Sequence, residues 1–309
     1  MALDSRVERF LAVLAASNPA EVRNATVEER RAGLKSLMNF AGPEIPLDHV
    51  EDRVISGPGA PLRIRIYSPT NAPILPGLVY FHGGGLVAGT LDTHDPVARA
   101  LAQAGAVRVI SVDYRLAPEH RFPAALEDAK SAVEYISEHP VQFGIEPNRL
   151  GVCGDSAGAT LAAATCQALA LTRRSSVALQ LLICPILDYS RSTPSRLAMS
   201  SGYLIDQATL DNDLKYYLPH GTDPANPLIS PLRCDELTGM PRTLIHTAEF
   251  DPLRDEGRIY FERLAQARNE VSYTCHPGMI HLFYALGAVI PYARTAFEQI
   301  GREIRAALA

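Results

Sequence analysis

The reading of this chain turns on Cys153-Gly154-Asp155-Ser156-Ala157-Gly158-Ala159, a serine framed by glycines between two apolar runs. Leu150, Val152 and Cys153 before it read as a short buried strand. Ala157 to Leu171 after it has one glycine, Gly158, and no proline, is rich in alanine and leucine, and reads as a buried helix. A strand that turns straight into a helix leaves little room at the corner, so a Cβ at position 154 or 158 would meet neighbouring backbone. The residue at the tip is forced into strained geometry with its side chain clear of the sheet. Ser156 therefore becomes a candidate nucleophile on a G-x-S-x-G elbow. By itself the pattern also suits a glycine-softened turn with a capping serine. A base, an acid and a set of oxyanion donors must come from elsewhere in the chain.

Working outward, the pattern on both sides is of near-continuous apolar strands separated by helical segments. The expected strands are Leu78–Phe81, Val107–Val112, Leu150–Cys153, Ala178–Ile183, Thr243–Thr247 and Val271–Cys275. Unalternating strands with helices between them indicate a mainly parallel sheet covered on both faces. Val50–Ile55 and Leu62–Tyr67 alternate and are joined by Gly57-Pro58-Gly59, which adds a pair of strands in front for a total of eight. Ahead of these, Val7, Phe10, Leu11 and Leu14 form one helical stripe. A second helix is expected from Thr26, which forms a capping box with Glu29 and presents Leu34, Leu37 and Met38. Both helices are expected to pack on the main domain from outside, as ordinary core helices or as a lid.

In such sheets functional residues gather beyond the carboxyl ends of the strands. Leu78–Phe81 runs into His82-Gly83-Gly84-Gly85, where bare backbone N–H groups can face a cavity. The same run fits G-x-G-x-x-A as Gly83 to Ala88 with Asp113 further on, but Gly89, Thr90 and Pro96 delay the helix that a dinucleotide site needs, and Asp113 comes too late. Asp251 follows the strand ending near Thr247, and His281 follows Val271–Cys275 through an expected loop, His276 to Ile280. Glu249 and Asp188 stand as alternative acids and His276 as an alternative base. Asp113, Glu119 and His120 are read as scaffold around Arg115-Leu116-Ala117-Pro118.

The 309 residues carry 47% hydrophobic content and a net charge of -5, enough for one large domain and without the basic field that nucleic acid or an anionic membrane would require. No apolar run is long enough to cross a bilayer, and Arg6, Glu8 and Arg9 interrupt any signal-peptide core. The five cysteines are scattered without metal-ligand spacing, so a reduced, cytoplasmic protein is expected, with no metal and no organic cofactor. Phe297, Ile300, Ile304 and Leu308 line one stripe of the last helix, which packs internally or pairs two copies as a homodimer.

The order Ser156, Asp251, His281 is that of α/β hydrolases. Together with His82-Gly83-Gly84-Gly85, Asp113-Tyr114-Arg115-Leu116-Ala117-Pro118-Glu119, Gly154-Asp155-Ser156-Ala157-Gly158 and Asp251-Pro252-Leu253-Arg254-Asp255, it makes the chain resemble the hormone-sensitive-lipase family of α/β-hydrolase esterases over roughly residues 45–309. The resemblance implies an α/β-hydrolase fold with a helical cap. The N-terminal part of that cap would be 1–45, the catalytic domain 46–189 and 221–309, and the cap insertion 190–220, with Tyr203-Leu204-Ile205 and Leu214 to Leu218 as its apolar content. It implies Ser156 as nucleophile, His281 as base, Asp251 as acid, and Gly83, Gly84 and Ala157 as oxyanion donors. The substrate would be a small-molecule ester with a short to medium acyl chain, met by a pocket of Leu86, Asp155, Tyr203, Leu204 and Leu282. Amide hydrolysis or acyl transfer with the same residues, or ligand binding without turnover, are the alternatives on this fold. Two positions depart from the family: it usually has glycine after the histidine where this chain has Leu282, and often an aromatic after the glycines where this chain has Leu86.

Overall fold

The computed structural model describes residues 2–17, 25–172 and 177–309, so residues 1 and 18–24 of the expected N-terminal segment lie outside it. Eight strands form one sheet: β1 (His49–Ile55), β2 (Leu62–Ser68), β3 (Leu75–Phe81), β4 (Arg108–Val112), β5 (Ile145–Asp155), β6 (Val177–Ile183), β7 (Arg242–Phe250) and β8 (Val271–Ile280). The helices are α1 (Ser5–Ser17), α2 (Val27–Met38), α3 (Asp95–Gly105), α4 (Ala124–Glu138), α5 (Ala157–Thr172), α6 (Pro194–Ala198), α7 (Gln207–Tyr217), α8 (Arg254–Gln266) and α9 (Tyr292–Ala307). Strand order is β1-β2-β4-β3-β5-β6-β7-β8, antiparallel for β1–β2 and β2–β4 and parallel across the rest.

The continuous apolar runs are explained by burial on both faces. Along β3, Val79 and Phe81 join a core with α4, α5 and α8, while Leu78 and Tyr80 join a second core with α3 and α9. The stripe on α9 belongs to the second core: Ile300, Ile304 and Leu308 are buried within the chain, and Gly301 lies against the Ala104 carbonyl of the segment containing α3. It presents no apolar face to a second copy. Thr26 caps α2 with the expected box, its Oγ1 accepting from Glu29 N at 3.2 Å while Glu29 Oε2 accepts from Thr26 N at 2.8 Å.

Four strands run three residues or more beyond the sequence reading, β3 beginning at Leu75 and β7 continuing to Phe250. β5 begins five residues early, at Ile145. The expected loop His276 to Ile280 is the end of β8. Pro277 is tolerated there because β8 is an edge strand with β7 as its one neighbour in the sheet. The register shifts between Ala248 and Phe250, and the Glu249 carboxylate accepts the Gly278 N–H at 2.8 Å where the ladder is broken. Glu249 is thereby occupied as a strand clasp.

Candidate active site

Each feature singled out in the sequence begins at the first residue beyond a strand. The glycine run follows β3, Ser156 follows β5, Asp251 follows β7 and His281 follows β8. The corner at Ser156 has the crowding its glycines imply. A Cβ on Gly154 would lie 2.2 Å from the Gly158 carbonyl oxygen, and one on Gly158 would lie 2.0 Å from that of Phe81. Ser156 itself has φ +52°, a left-handed value that costs a non-glycine residue about 1–2 kcal/mol.

These turns bring three side chains into line. His281 Nε2 lies 3.0 Å from Ser156 Oγ, and His281 Nδ1 lies 2.8 Å from Asp251 Oδ2. Asp251 is fully buried, and its Oδ1 accepts the Leu253 N–H at 2.8 Å, which fixes the carboxylate for the imidazole. The alternatives are engaged elsewhere. Asp188 pairs with Arg233 and accepts from Ser190. His276 stacks on His246 and meets Tyr292 OH at 3.2 Å. No helix opens at the glycine run, since α3 starts at Asp95.

The glycine run requires a correction. The Gly83 N–H donates to Asp155 Oδ1 at 3.0 Å and so faces away from the cavity. Among the described residues, the N–H groups of Gly84, Gly85 and Ala157 have no protein acceptor, and all three residues line the cavity beside Ser156 and His281. Asp155 is therefore not a pocket residue. Its carboxylate lies wholly beneath the loop, accepting from Tyr80 OH at 2.5 Å and Tyr284 OH at 2.7 Å as well as from Gly83. Burial pushes this carboxyl above its ordinary range, and the phenol and backbone donors pull it part of the way back.

The cavity has a volume of about 90 Å³. Of the expected pocket residues, Leu204 and Leu282 line it. Leu86 is fully buried in the core, and Tyr203 stacks on Phe250 with ring centroids 5.8 Å apart. Sequence reasoning missed His94, Arg30 and Asp213, which also line it. Arg30 on α2 grips Asp213 on α7, with Nε 3.1 Å from Oδ1 and Nη2 3.0 Å from Oδ2. Nothing local could announce a pair 183 residues apart. Asp213 also packs so closely on the loop that a Cβ on Gly85 would fall 1.8 Å from its Oδ2. Of the expected scaffold residues, Glu119 holds Arg31 of α2, whose Nη2 donates to the Ala117 carbonyl of the loop at 3.3 Å and whose Nε donates to the Val87 carbonyl at 2.9 Å. The loop is also held by Arg115, clamped bidentately on Asp128 through Nε to Oδ2 at 2.9 Å and Nη2 to Oδ1 at 2.8 Å.

The polypeptide after Asp251 anchors the segment between β6 and β7. Glu256 accepts Leu187 N at 2.6 Å, Asp188 N at 2.8 Å and Arg196 Nε at 2.7 Å, all buried. Ser195 N donates to Asp255 at 2.8 Å. The run from Asp251 to Glu256 thus serves both the imidazole and the segment that carries the cavity wall.

A doubly covered, mainly parallel sheet that delivers an elbow serine, an imidazole and a carboxylate from its carboxyl edge in this chain order is of the α/β-hydrolase class. The comparisons agree. A family model described as alpha/beta hydrolase fold matches residues 78–285. The carboxylesterase NlhH of Mycobacterium tuberculosis is 37% identical over 287 residues, covering 91% of this chain and 88% of its own length. From the same organism, the carboxylic ester hydrolase LipN is 39% identical over 263 residues, covering 83% and 70%. Among solved structures, the esterase of the archaeon Pyrobaculum calidifontis superposes with TM-score 0.94 at 35% identity, covering 100% of both chains. The ester-hydrolase EH1AB1 from the Lake Arreo metagenome, solved with a bipyridine phosphonate derivative, gives TM-score 0.95 at 35% identity over 98% of both. The chain belongs to the α/β-hydrolase fold family, in its hormone-sensitive-lipase-like carboxylesterase branch, and is a carboxylic ester hydrolase. Among the described residues no helix is long and apolar enough to cross a membrane.

Proposed function

We propose that the chain hydrolyses short- to medium-chain acyl esters through an acyl-serine intermediate. The observation that carries this reading is the unbroken line Ser156 Oγ–His281–Asp251 at 3.0 and 2.8 Å, opening on the cavity. His281 Nε2 takes the Ser156 proton as Oγ attacks the ester carbonyl, and passes it to the departing alcohol. Water then attacks the acyl-serine with the same imidazole as base. Asp251 holds the proton on Nδ1 and stabilises the imidazolium. The N–H groups of Gly84, Gly85 and Ala157 receive the oxygen as it gains charge, and the N-terminus of α5 adds its dipole there. Helices α1 and α2 together with the 190–220 segment act as the cap, with Leu34, Leu204, Leu282 and the Arg30–Asp213 pair limiting acyl length.

Ser156→Ala or His281→Ala should each lower kcat by about 10⁶, and the double variant by little more, since the two act as one unit. Covalent labelling of Ser156 by a phosphonate, read by mass spectrometry, supplies the chemical half of the test. Retention of a tenth of the wild-type rate by Ser156→Ala would remove the nucleophile from this scheme.

A further inference from the structure

Close to Asp251 and His281 lies a third donor that the hydrolytic scheme does not use. Cys184 follows β6 directly, is 1% exposed, and has a sulfur that lies with an Asp251 oxygen and a His281 ring nitrogen in a group whose members are all within 4.8 Å of one another. Among the described residues this is the one place where three such donor atoms converge. The Cys184 backbone is held in the left-handed region at φ +44°, with its N–H bonded to the His246 carbonyl at 2.6 Å. A leucine or alanine in its place would meet the same strain, so backbone conformation does not account for the thiol.

We propose that Cys184, Asp251 and His281 form a site for a single thiophilic divalent cation, with zinc as the type, whose binding switches hydrolysis off. Thiolate, imidazole and carboxylate are a donor set that zinc takes in tetrahedral sites, where ligand atoms stand roughly 3.5 Å apart. From separations within 4.8 Å the cluster therefore needs a contraction of up to about 1.3 Å, while the Asp251–His281 pair at 2.8 Å opens by about half an ångström or slightly more. Nδ1 is the nitrogen that faces Asp251, so it is the one the cation takes. The protons balance as follows. The cation displaces the Cys184 thiol proton to water and forces the His281 proton from Nδ1 to Nε2, with a net release of one. An Nε2 that carries hydrogen donates to Ser156 Oγ and has no lone pair to accept the serine proton. The fourth metal position is left to water. Because the donors are at most 5% exposed, the cation enters slowly through the cavity and inhibition develops with time.

The consequence for turnover rests on His281 being the base, whereas binding itself does not. The test uses the full chain, stripped with a chelator and titrated with buffered zinc while p-nitrophenyl butyrate hydrolysis is followed. Expected are slow, chelator-reversible inhibition and about tenfold tighter inhibition per pH unit, from the one proton released. Cys184→Ser and Cys184→Ala, each compared with its own metal-free rate, should raise the half-inhibiting zinc concentration at least about tenfold. Cobalt titration of wild type and of Ser156→Ala should give a thiolate charge-transfer band with stoichiometry one, without any turnover. Absence of that band in wild type, or equal zinc inhibition in both Cys184 variants, overturns the site. A band without inhibition overturns the switch. A Ser156→Ala protein that still hydrolyses ester refutes the serine scheme instead, so the two failures are told apart.

Discussion

The carboxylate of Asp155 sits in a motif position next to the nucleophile yet touches no cavity, and its replacement separates charge from geometry. It accepts three donors, Tyr80 OH and Gly83 N on Oδ1 and Tyr284 OH on Oδ2. Asp155→Asn keeps an oxygen for the first two. The new NH₂ faces the Tyr284 hydroxyl, which can rotate to accept. What is lost is the charge-assisted part of these bonds, about 1 kcal/mol each. Set against that is relief from holding a charge in a fully buried site, the force that raises this carboxyl. The two are of the same size, so Asp155→Asn should change stability by no more than about 1–2 kcal/mol and leave kcat within about tenfold.

Asp155→Ala is a different perturbation. It leaves three buried donors without an acceptor, at about 1–3 kcal/mol each, so a loss of roughly 3–6 kcal/mol is expected after local relaxation. It also frees the Gly83 N–H that sets where Gly84 and Gly85 point. The corresponding loss of oxyanion geometry should cost about 10² to 10³ in kcat. Urea unfolding and steady-state hydrolysis of a short-chain p-nitrophenyl ester, run on both variants, decide the matter. Should Asn prove as damaging to kcat as Ala, the carboxylate would be acting through its charge, and the hydrogen-bond account of the loop would be wrong.

Three further outcomes are expected. Burial pulls His82, His94 and His276 down to about 3, so each is neutral when folded and takes up a proton on unfolding below about 6.5. The unfolded state then binds more protons, and stability should fall by up to about 4 kcal/mol per pH unit from pH 6.5 downward, a slope that His276→Asn should reduce by about a third in melting-temperature profiles. Asp213→Ala removes the carboxylate wall on α7 and should shift the ester-chain optimum toward longer acyl groups, at no more than about 3 kcal/mol in stability because Arg30 keeps a water-exposed edge; an unchanged acetyl-to-decanoyl rate profile would count against this wall. Leu282→Gly relieves a left-handed residue at φ +64°, worth about 1–2 kcal/mol, but deletes a leucine that is 7% exposed, worth about 2–4 kcal/mol, so denaturant melts should show net destabilisation despite the relieved strain.

How far the sequence could be read depended on the range of the physics at each position. The elbow was legible because its cause is local: a corner too tight for a Cβ at Gly154 and Gly158 writes glycine into the chain on either side of Ser156. The interior runs of the parallel strands were legible because burial on both faces removes alternation, but β7 and β8 continue past their expected ends to Phe250 and Ile280, which brings Asp251 and His281 directly onto the strand ends. The extent of β8 was not, since Pro277 argues against a strand unless the strand is known to lie at an edge, and edges are set by global order. The choice among three adjacent glycines was also out of reach. All of them can bare an N–H, and what directs Gly83 away from the cavity is a carboxylate 72 residues later, held by two tyrosines from other elements. Leu282 has the same character: the sequence shows only a leucine, while the left-handed φ of +64° that would make glycine the natural choice is a property of the turn after β8. A residue's chemistry is therefore announced by its neighbours in sequence only where backbone sterics dictate it. Where a long-range acceptor assigns an N–H its direction, as Asp155 does for Gly83, the role passes to the next residue along without a change of letter.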